Sequence, residues 1–266
     1  MISYIAFPKL DLHFDVDPVA ISFGDFCIYW YGIIISIAIF VGFFLVKRNV
    51  YRFGYTVDDI CNILVYAIVF GLLCARAYYV VFNIDEFRHE WVNILNIRTG
   101  GLAIYGGVIG ALVSIYVYCK KRGYRFLDVV DILMPYLALG QSIGRWGNFT
   151  NQEAFGVETT LPWGMTGDII KGVAGEKLVH PTFLYESLVT LVIFFVLCGI
   201  RKRKKVDGEV FFAYMLMYGL ARFFIEGLRV DSLMLLNFRV SQVLSAAMVV
   251  VAIVFGIIKK KKVVEY

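Results

Sequence analysis

Residues 127–156 read LDVVDILMPYLALGQSIGRWGNFTNQEAFG. A predominantly apolar stretch over 127–143 passes without a linker into Gly144-Arg145-Trp146-Gly147-Asn148-Phe149-Thr150-Asn151-Gln152-Glu153-Ala154-Phe155-Gly156. The first part has the composition of a membrane span. The second packs an arginine, two asparagines, a glutamine and a glutamate among three glycines. A simple exit from a bilayer needs only a turn and a few solvated groups. This density of hydrogen-bonding side chains suits instead the close approach of a phosphate or similar anion at the membrane surface. Arginine offers a charged planar fork, amides offer fixed dipoles, and glycine lets backbone N–H groups come near.

The rest of the chain agrees with a membrane setting. Mean hydropathy is +0.73, with 60% hydrophobic and 18% charged residues, which excludes both an ordinary soluble domain and disorder. Apolar blocks near the ~20 residues that cross a hydrocarbon core fall at 26–46, 59–82, 100–119, 127–143, 182–200, 209–228 and 238–258. In lipid the backbone must satisfy its own hydrogen bonds, so all seven are read as helices. The expected fold is an all-α polytopic membrane protein forming one membrane domain over 1–266. The 25 residues before the first block contain one lysine and several aspartates, the wrong start for a cleavable signal peptide, so the first block is read as a retained helix. The five cysteines lie in or at the ends of spans with no CxxC, which indicates packing rather than disulfides or a metal site.

Basic residues set the expected orientation. Clusters at Lys47, Arg48 and Arg52, at Lys120 to Arg125, at Arg201 to Lys205 and at Lys259 to Lys262 place sixteen of the 26 Lys and Arg on one face. Eight, namely Lys9, Arg88, Arg98, Arg145, Lys171, Lys177, Arg229 and Arg239, fall on the other. By the positive-inside rule the N-terminus is outside and the C-terminus cytoplasmic. Residues 1–25 are then an outer segment, and 145–181 is an outer functional segment. The net charge of +5 comes from the cytoplasmic clusters and reports orientation towards anionic headgroups, not nucleic acid.

Several side chains are costly to keep where they stand. Tyr218, Arg222, Glu226 and Arg229 fall within about 80° of one another on the sixth span, so they share one stripe. A charge at mid-bilayer costs about 2.5–3.5 kcal/mol on insertion scales. Arg222 and Glu226 are one turn apart and offset one another in part, with Arg229 placed to snorkel outward. The alternative is that the stripe lines a polar cavity continuous with Arg145. His180-Pro181-Thr182 opens the fifth span, with His180 at the outer mouth and Glu186 deeper, either as a partner for an arginine or as part of a site. Gly106 and Gly110 make a small-xxx-small face for close helix approach, beside Tyr105. Tyr29 and Trp30 suit an aromatic belt at the headgroups. Arg76 has no evident partner in the sequence, and Asp128 and Asp131 stand where helix-start carboxylates do.

Taken together, Gly-Arg-x-Gly-Asn-Phe-x-Asn-x-Glu-x-x-Gly over 144–156 resembles the signature of the bacterial prolipoprotein diacylglyceryl transferases. The likeness extends to Trp30-Tyr31-Gly32, the glycine-rich 100–110 segment, His180-Pro181-Thr182 and the Tyr218, Arg222, Glu226, Arg229 helix, in the expected order over nearly the whole chain. It implies transfer of the diacylglyceryl group of phosphatidylglycerol to the lipobox cysteine thiol of a prolipoprotein, forming a thioether and releasing glycerol phosphate. It further implies a bacterial cytoplasmic (inner) membrane enzyme with its site facing the outer leaflet, working without cofactor or metal. On that reading Arg145 and Arg222 carry the charge of the departing phosphate, and Glu226 orients Arg222. Asn148, Asn151 and Glu153 position the glycerol headgroup or the arginines, and Tyr31 and Tyr218 shape the lipid site. Gly156, Glu186 and Arg229 are further expected substrate contacts.

One departure bears on the proton. Some family members have histidine where this chain has Tyr105. Tyrosine, with a reference pKa near 10, is a poorer base than histidine at about 6.5. Either Tyr105 hydrogen-bonds substrate, or His180 or the phosphate itself accepts the thiol proton. Phe183 is a second departure, standing where a polar residue can occur. The principal alternative is a phospholipid transporter or flippase with an arginine-lined cavity. A metal-dependent transferase or phosphatase is disfavoured, because the three histidines at 13, 89 and 180 form no cluster in sequence.

Overall fold

The computed structural model describes residues 2–24, 26–88, 91–96, 100–236 and 238–264, so His89 and Arg98 lie outside the described residues. Helix dominates: α1 (Trp30–Asn49), α2 (Val57–Phe82), the short α3 (Ile84–Phe87), α4 (Ile104–Arg122), α5 (Phe126–Asn151), α6 (Asp168–Ala174), α7 (Thr182–Arg203), α8 (Glu209–Leu228) and α9 (Val240–Val264). Among the described residues, six helical stretches are long and apolar enough to cross a membrane: Trp30–Phe53, Val57–Phe82, Phe126–Asn151, Thr182–Arg203, Glu209–Leu228 and Val240–Ile258. The chain is therefore a multi-pass helical membrane protein. The third expected span, 100–119, forms α4, a helix of 19 residues, but it is less apolar than the other six. Its glycines, and Lys120, Lys121 and Arg122 in its last turn, are the reason.

Two compact units make up the chain, Met1–Leu45 with Asp131–Tyr266, and Val46–Val130. In the second unit α2 begins with a capping box in which Thr56 accepts from the Asp59 N–H and Asp59 accepts from the Thr56 N–H. The buried Asp59 carboxylate also accepts from Tyr118, Tyr124 and Arg122. α2 and α4 lie in close contact along the expected glycine face. A Cβ on Gly110 would come 2.5 Å from the Phe70 carbonyl oxygen and 2.6 Å from Cys74 Cβ, and one on Gly106 would run into Cys74 and Tyr78. Arg76 finds its partners in backbone: it donates to the carbonyls of Ile94, Gly100 and Gly101.

In the first unit, α7 packs on α8 and α8 on α9. Gly219 makes the second contact possible, since a Cβ there would stand 2.9 Å from the Ser245 carbonyl oxygen. Asp131 departs from the expected helix-start role. It is fully buried within α5 and accepts from the N–H groups of Gly208 (2.7 Å) and Phe211 (2.8 Å) and from Lys204 (3.1 Å). It thus caps the start of α8, whose orphan N–H groups sit beside it, rather than its own helix.

Short strands supplement the helices. β1 (Ser3–Phe7) pairs antiparallel with β2 (Leu12–Val16) and, through Ile5 and Ala6, with β5 (Thr166–Gly167). β3 (Val19–Phe23) pairs with β4 (Phe26–Tyr29), and β6 (Met234–Leu235) with β7 (Phe238–Arg239). The N-terminal strands are therefore built into the fold. Ile5 and Phe7 of β1 belong to one buried cluster with Phe149, Phe155, Met165, Ile170, Val179 and Phe183. Phe183, noted above as a departure, serves this apolar core.

Candidate active site

The polar signature starts on a helix rather than a loop. α5 does not stop at residue 143 but continues through Asn151, so Arg145 and Asn148 lie one turn apart on the same face. Gly144 and Gly147 cost that helix about 1 kcal/mol each relative to alanine. Packing against α1 requires them: a Cβ on Gly147 would lie 2.6 Å from the Tyr31 ring, and one on Gly144 3.1 Å from Ile35 Cδ1. The glycines at 144 and 147 thus admit α1 side chains. They do not expose N–H groups to an anion as the sequence suggested, because inside a helix those groups serve the helix ladder.

Three helices bring charge to one place. Arg145 stands six residues before the end of α5, Glu186 four residues after the start of α7, and Arg222 six residues before the end of α8. At 1.5 Å per residue these depths are about 9, 6 and 9 Å from the respective ends. The Glu186 side chain is 3% exposed. Its Oε1 accepts from an Arg145 guanidinium N–H at 2.5 Å and from the Tyr218 hydroxyl at 3.0 Å, and its Oε2 accepts from Arg222 at 2.8 Å. Arg222 also pairs with Glu226 at 2.6 Å, the one-turn pair read from the sequence. On the other side, Arg145 donates to Asn148 Oδ1 at 3.2 Å, and Asn148 Nδ2 donates to Glu153 at 2.7 Å. Tyr31 lies beside the same turn, against Gly147.

The result is a chain of alternating partners, Glu153, Asn148, Arg145, Glu186, Arg222 and Glu226. Neither arginine is exhausted by it. Arg145 uses two of its five N–H donors in hydrogen bonds to Asn148 and Glu186, and Arg222 uses one to Glu186, its contact with Glu226 being an ion pair outside hydrogen-bond geometry. The guanidiniums are held in place by buried carboxylates, an arrangement that would present oriented donors to an anion placed beside them. The Tyr218 ring is fixed by stacking on Tyr214 at 5.3 Å, and Tyr214 donates to Gln141.

The remaining expected residues take other positions. Arg229 is held by Asp231, with contacts of 2.9 and 2.6 Å, instead of pointing freely along the stripe. Burial acts to raise the Asp231 pKa, but the paired guanidinium outweighs it and holds the carboxyl below its ordinary range. Gly156 is a crossing point. Its N–H donates to the His180 carbonyl at 2.8 Å, it bridges to Arg229, and a Cβ there would meet His180 Cβ at 2.8 Å and the Leu228 carbonyl at 3.0 Å. Asn151, the last residue of α5, is half-buried and its side chain does not join the ion network. Tyr105 sits in the first turn of α4, in the second unit.

His180 is half-buried, and burial lowers its pKa below the ordinary imidazole value. Its Nδ1 lies 3.0 Å from the Tyr185 hydroxyl, which accepts from Trp163 Nε1 at 2.7 Å. Indole can only donate, so the Tyr185 oxygen accepts from Trp163, and its contact with His180 Nδ1 runs in either direction according to the imidazole tautomer. Asp231, Trp163, Tyr185 and Arg239, which donates to the Glu226 carbonyl, were not singled out by sequence. All four act across loops, where no helical period links a residue to its partner.

The comparisons with known proteins converge. The family model of prolipoprotein diacylglyceryl transferase matches residues 18–258. A phosphatidylglycerol--prolipoprotein diacylglyceryl transferase of Finegoldia magna is 44% identical over 251 residues, covering 94% of this chain and 98% of its own. The enzyme of the same name from Clostridioides difficile is 44% identical, covering 93% and 97%. One from Bacillus cereus is 43% identical, covering 92% and 93%.

Proposed function

Because the chain belongs to the prolipoprotein diacylglyceryl transferase family, we propose that it transfers the diacylglyceryl group of phosphatidylglycerol to the lipobox cysteine thiol of a prolipoprotein. The observation that carries this reading to particular residues is the pair of arginines from two helices, Arg145 and Arg222, held on one buried carboxylate, Glu186. In the reaction the substrate sulfur attacks the glycerol carbon that bears the phosphate. The carbon–sulfur bond forms as the carbon–oxygen bond breaks, and glycerol phosphate leaves with the bonding pair. Arg145 and Arg222 meet the negative charge that develops on the leaving phosphate, in a site where water is scarce and such contacts count for more than in solution. Glu186 and Glu226 fix the two guanidiniums, and Asn148 with Glu153 holds Arg145 from the other side. Tyr31 and Tyr218 border the lipid, and Asn151, Gly156 and Arg229 bound the substrate at the mouth.

The nucleophile belongs to the substrate protein, so the enzyme supplies no Ser-His-Asp arrangement. The thiol proton passes either to the departing phosphate or to His180, which burial keeps as a neutral imidazole at the outer mouth. Tyr105 is kept as a substrate contact on the family resemblance, and full turnover by Tyr105→Phe would remove it. The reading treats 1–266 as one membrane domain in the bacterial cytoplasmic membrane. The N-terminus is outside, the C-terminus is cytoplasmic and the site opens on the outer leaflet. No observation favours the transporter alternative.

The test uses purified protein in detergent with phosphatidylglycerol and a lipobox peptide, following glycerol phosphate release and peptide mass. A thiol-dependent gain of one diacylglyceryl mass, lost with a Cys-to-Ser peptide and with Arg145→Ala, is expected. Lipid binding by folded protein with no covalent product would overturn the reading.

A further inference from the structure

Gln152 stands in the middle of the signature, and the ion network does not use it. Its backbone is left-handed, at φ 50°, as is that of Ala154 at φ 56°. Glu153 is therefore flanked on both sides by conformations that cost a non-glycine residue about 1–2 kcal/mol each. Such strain persists only where the surroundings over-determine it. Here they do. The Gln152 side chain is 1% exposed. Its Nε2 donates to Ser3 Oγ at 2.5 Å and to the Tyr4 carbonyl at 3.2 Å, and its Oε1 accepts from the Ile169 N–H at 3.0 Å. Gly167, the β5 partner of Ile5, has no room for a Cβ because the Gln152 amide fills that space. On the far side, the Ala154 carbonyl accepts from Thr182 at the start of α7. Between the two anchors the Glu153 N–H returns to the Asn148 carbonyl at 3.0 Å, and its carboxylate accepts from Asn148 Nδ2.

We propose that Gln152 is a positioning residue through which the N-terminal strand β1 sets Glu153, and with it Asn148 and Arg145. The amide ties β1, the start of α6 and the strained turn together. A shift of β1 is passed to Glu153 through a single peptide bond. This gives the outer segment 1–25 a role in catalysis besides its packing, and it rests on the reading that Arg145 serves the transfer.

The test is a double-mutant cycle in the full-length protein, with turnover of phosphatidylglycerol and lipobox peptide as the readout. Gln152→Gly removes the three side-chain bonds and, although it relieves the left-handed cost, strands the Ile169 N–H, so some fall in melting temperature is expected on any reading and the discriminating readout is kinetic. The expected result is folded protein whose kcat falls about 10-fold, with KM for phosphatidylglycerol changed much less. Combined with Glu153→Gln, the loss should be close to that of the larger single variant, because both act on the same side chain. Losses that multiply, or a Gln152→Gly enzyme within about 2-fold of wild type, would overturn the proposal. If Gln152→Gly fails to fold, Ser3→Ala, which removes one bond to the same amide, takes its place in the cycle. Wild-type protein that forms no thioether would instead sink the functional reading itself.

Discussion

Arg222 of α8 donates to Glu186 of α7 at 2.8 Å, and this contact joins the Arg145–Glu186 pair, which links α5 to α7, to the Arg222–Glu226 pair within α8. Glu186 holds Arg145, and Arg222 also holds Glu226, so loss of Glu186 takes the paired carboxylate from Arg145 and leaves Arg222 on Glu226 alone. Removing one partner of a buried pair typically costs about 3–5 kcal/mol. Glu186→Ala is accordingly expected to lower the melting temperature in detergent sharply and to abolish turnover. Glu186→Gln keeps the shape and one acceptor, so it should fold yet lose on the order of 10-fold or more in kcat. A Glu186→Ala protein with native stability would show that the arginines do not depend on this bridge.

Charge alone should not replace either arginine. Arg145 reaches Asn148 and Glu186 with different nitrogens, and Arg222 reaches Glu186 and Glu226 in the same way. Lysine is a point charge on a flexible stem and cannot span two fixed partners with a planar fork. Arg145→Lys and Arg222→Lys are each expected to lower kcat by about 10²–10³, the range seen when one preorganised donor to a developing anion is lost. Glycerol phosphate release measured with saturating lipid and peptide checks this. Retention of most activity in either variant would reduce that arginine to a structural ion.

Two glycines of the first unit make a controlled comparison. A Cβ on Gly156 would press on His180 Cβ and the Leu228 carbonyl, and backbone cannot swing aside. Gly156→Ala should therefore destabilise by about 1–3 kcal/mol. Its damage should appear in activity too, since the crossing holds the backbone of Arg229. Gly140, inside α5, has open space around its would-be Cβ. Gly140→Ala should be neutral or stabilising by up to about 1 kcal/mol, the helix preference for alanine. Equal melting temperatures for the two variants would refute the packing argument.

The sequence was most informative where geometry is periodic. Apolar blocks of span length located the helices, and the Arg222–Glu226 pair followed from one turn of α8. It misled at residue 143, because a change from apolar to polar composition marks where lipid contact ends and not where a helix ends. α5 continues because Arg145 and Asn148 find partners on neighbouring elements. It was silent on Glu186 as the hub, since which of two arginines a carboxylate meets is decided by packing between helices. The placement of β1 on β5, and of Gln152 between them, joins residues some 150 apart in the chain, beyond the reach of any local pattern.

Acidification should weaken the protein through His180. Burial holds its folded pKa below the ordinary 6.5. The unfolded chain then binds that proton first as the pH falls. The contribution of neutral His180 is fully present above about pH 6.5 and declines below it, until the folded pKa is passed. The melting temperature in detergent should thus be flat near pH 7–8 and drop as the pH falls below about 6.5. His180→Asn, which cannot take up a proton, should show a shallower drop over the same window. An unchanged slope in that variant would assign the acid sensitivity to other groups, and a melting temperature that rises on acidification would contradict the depressed pKa outright.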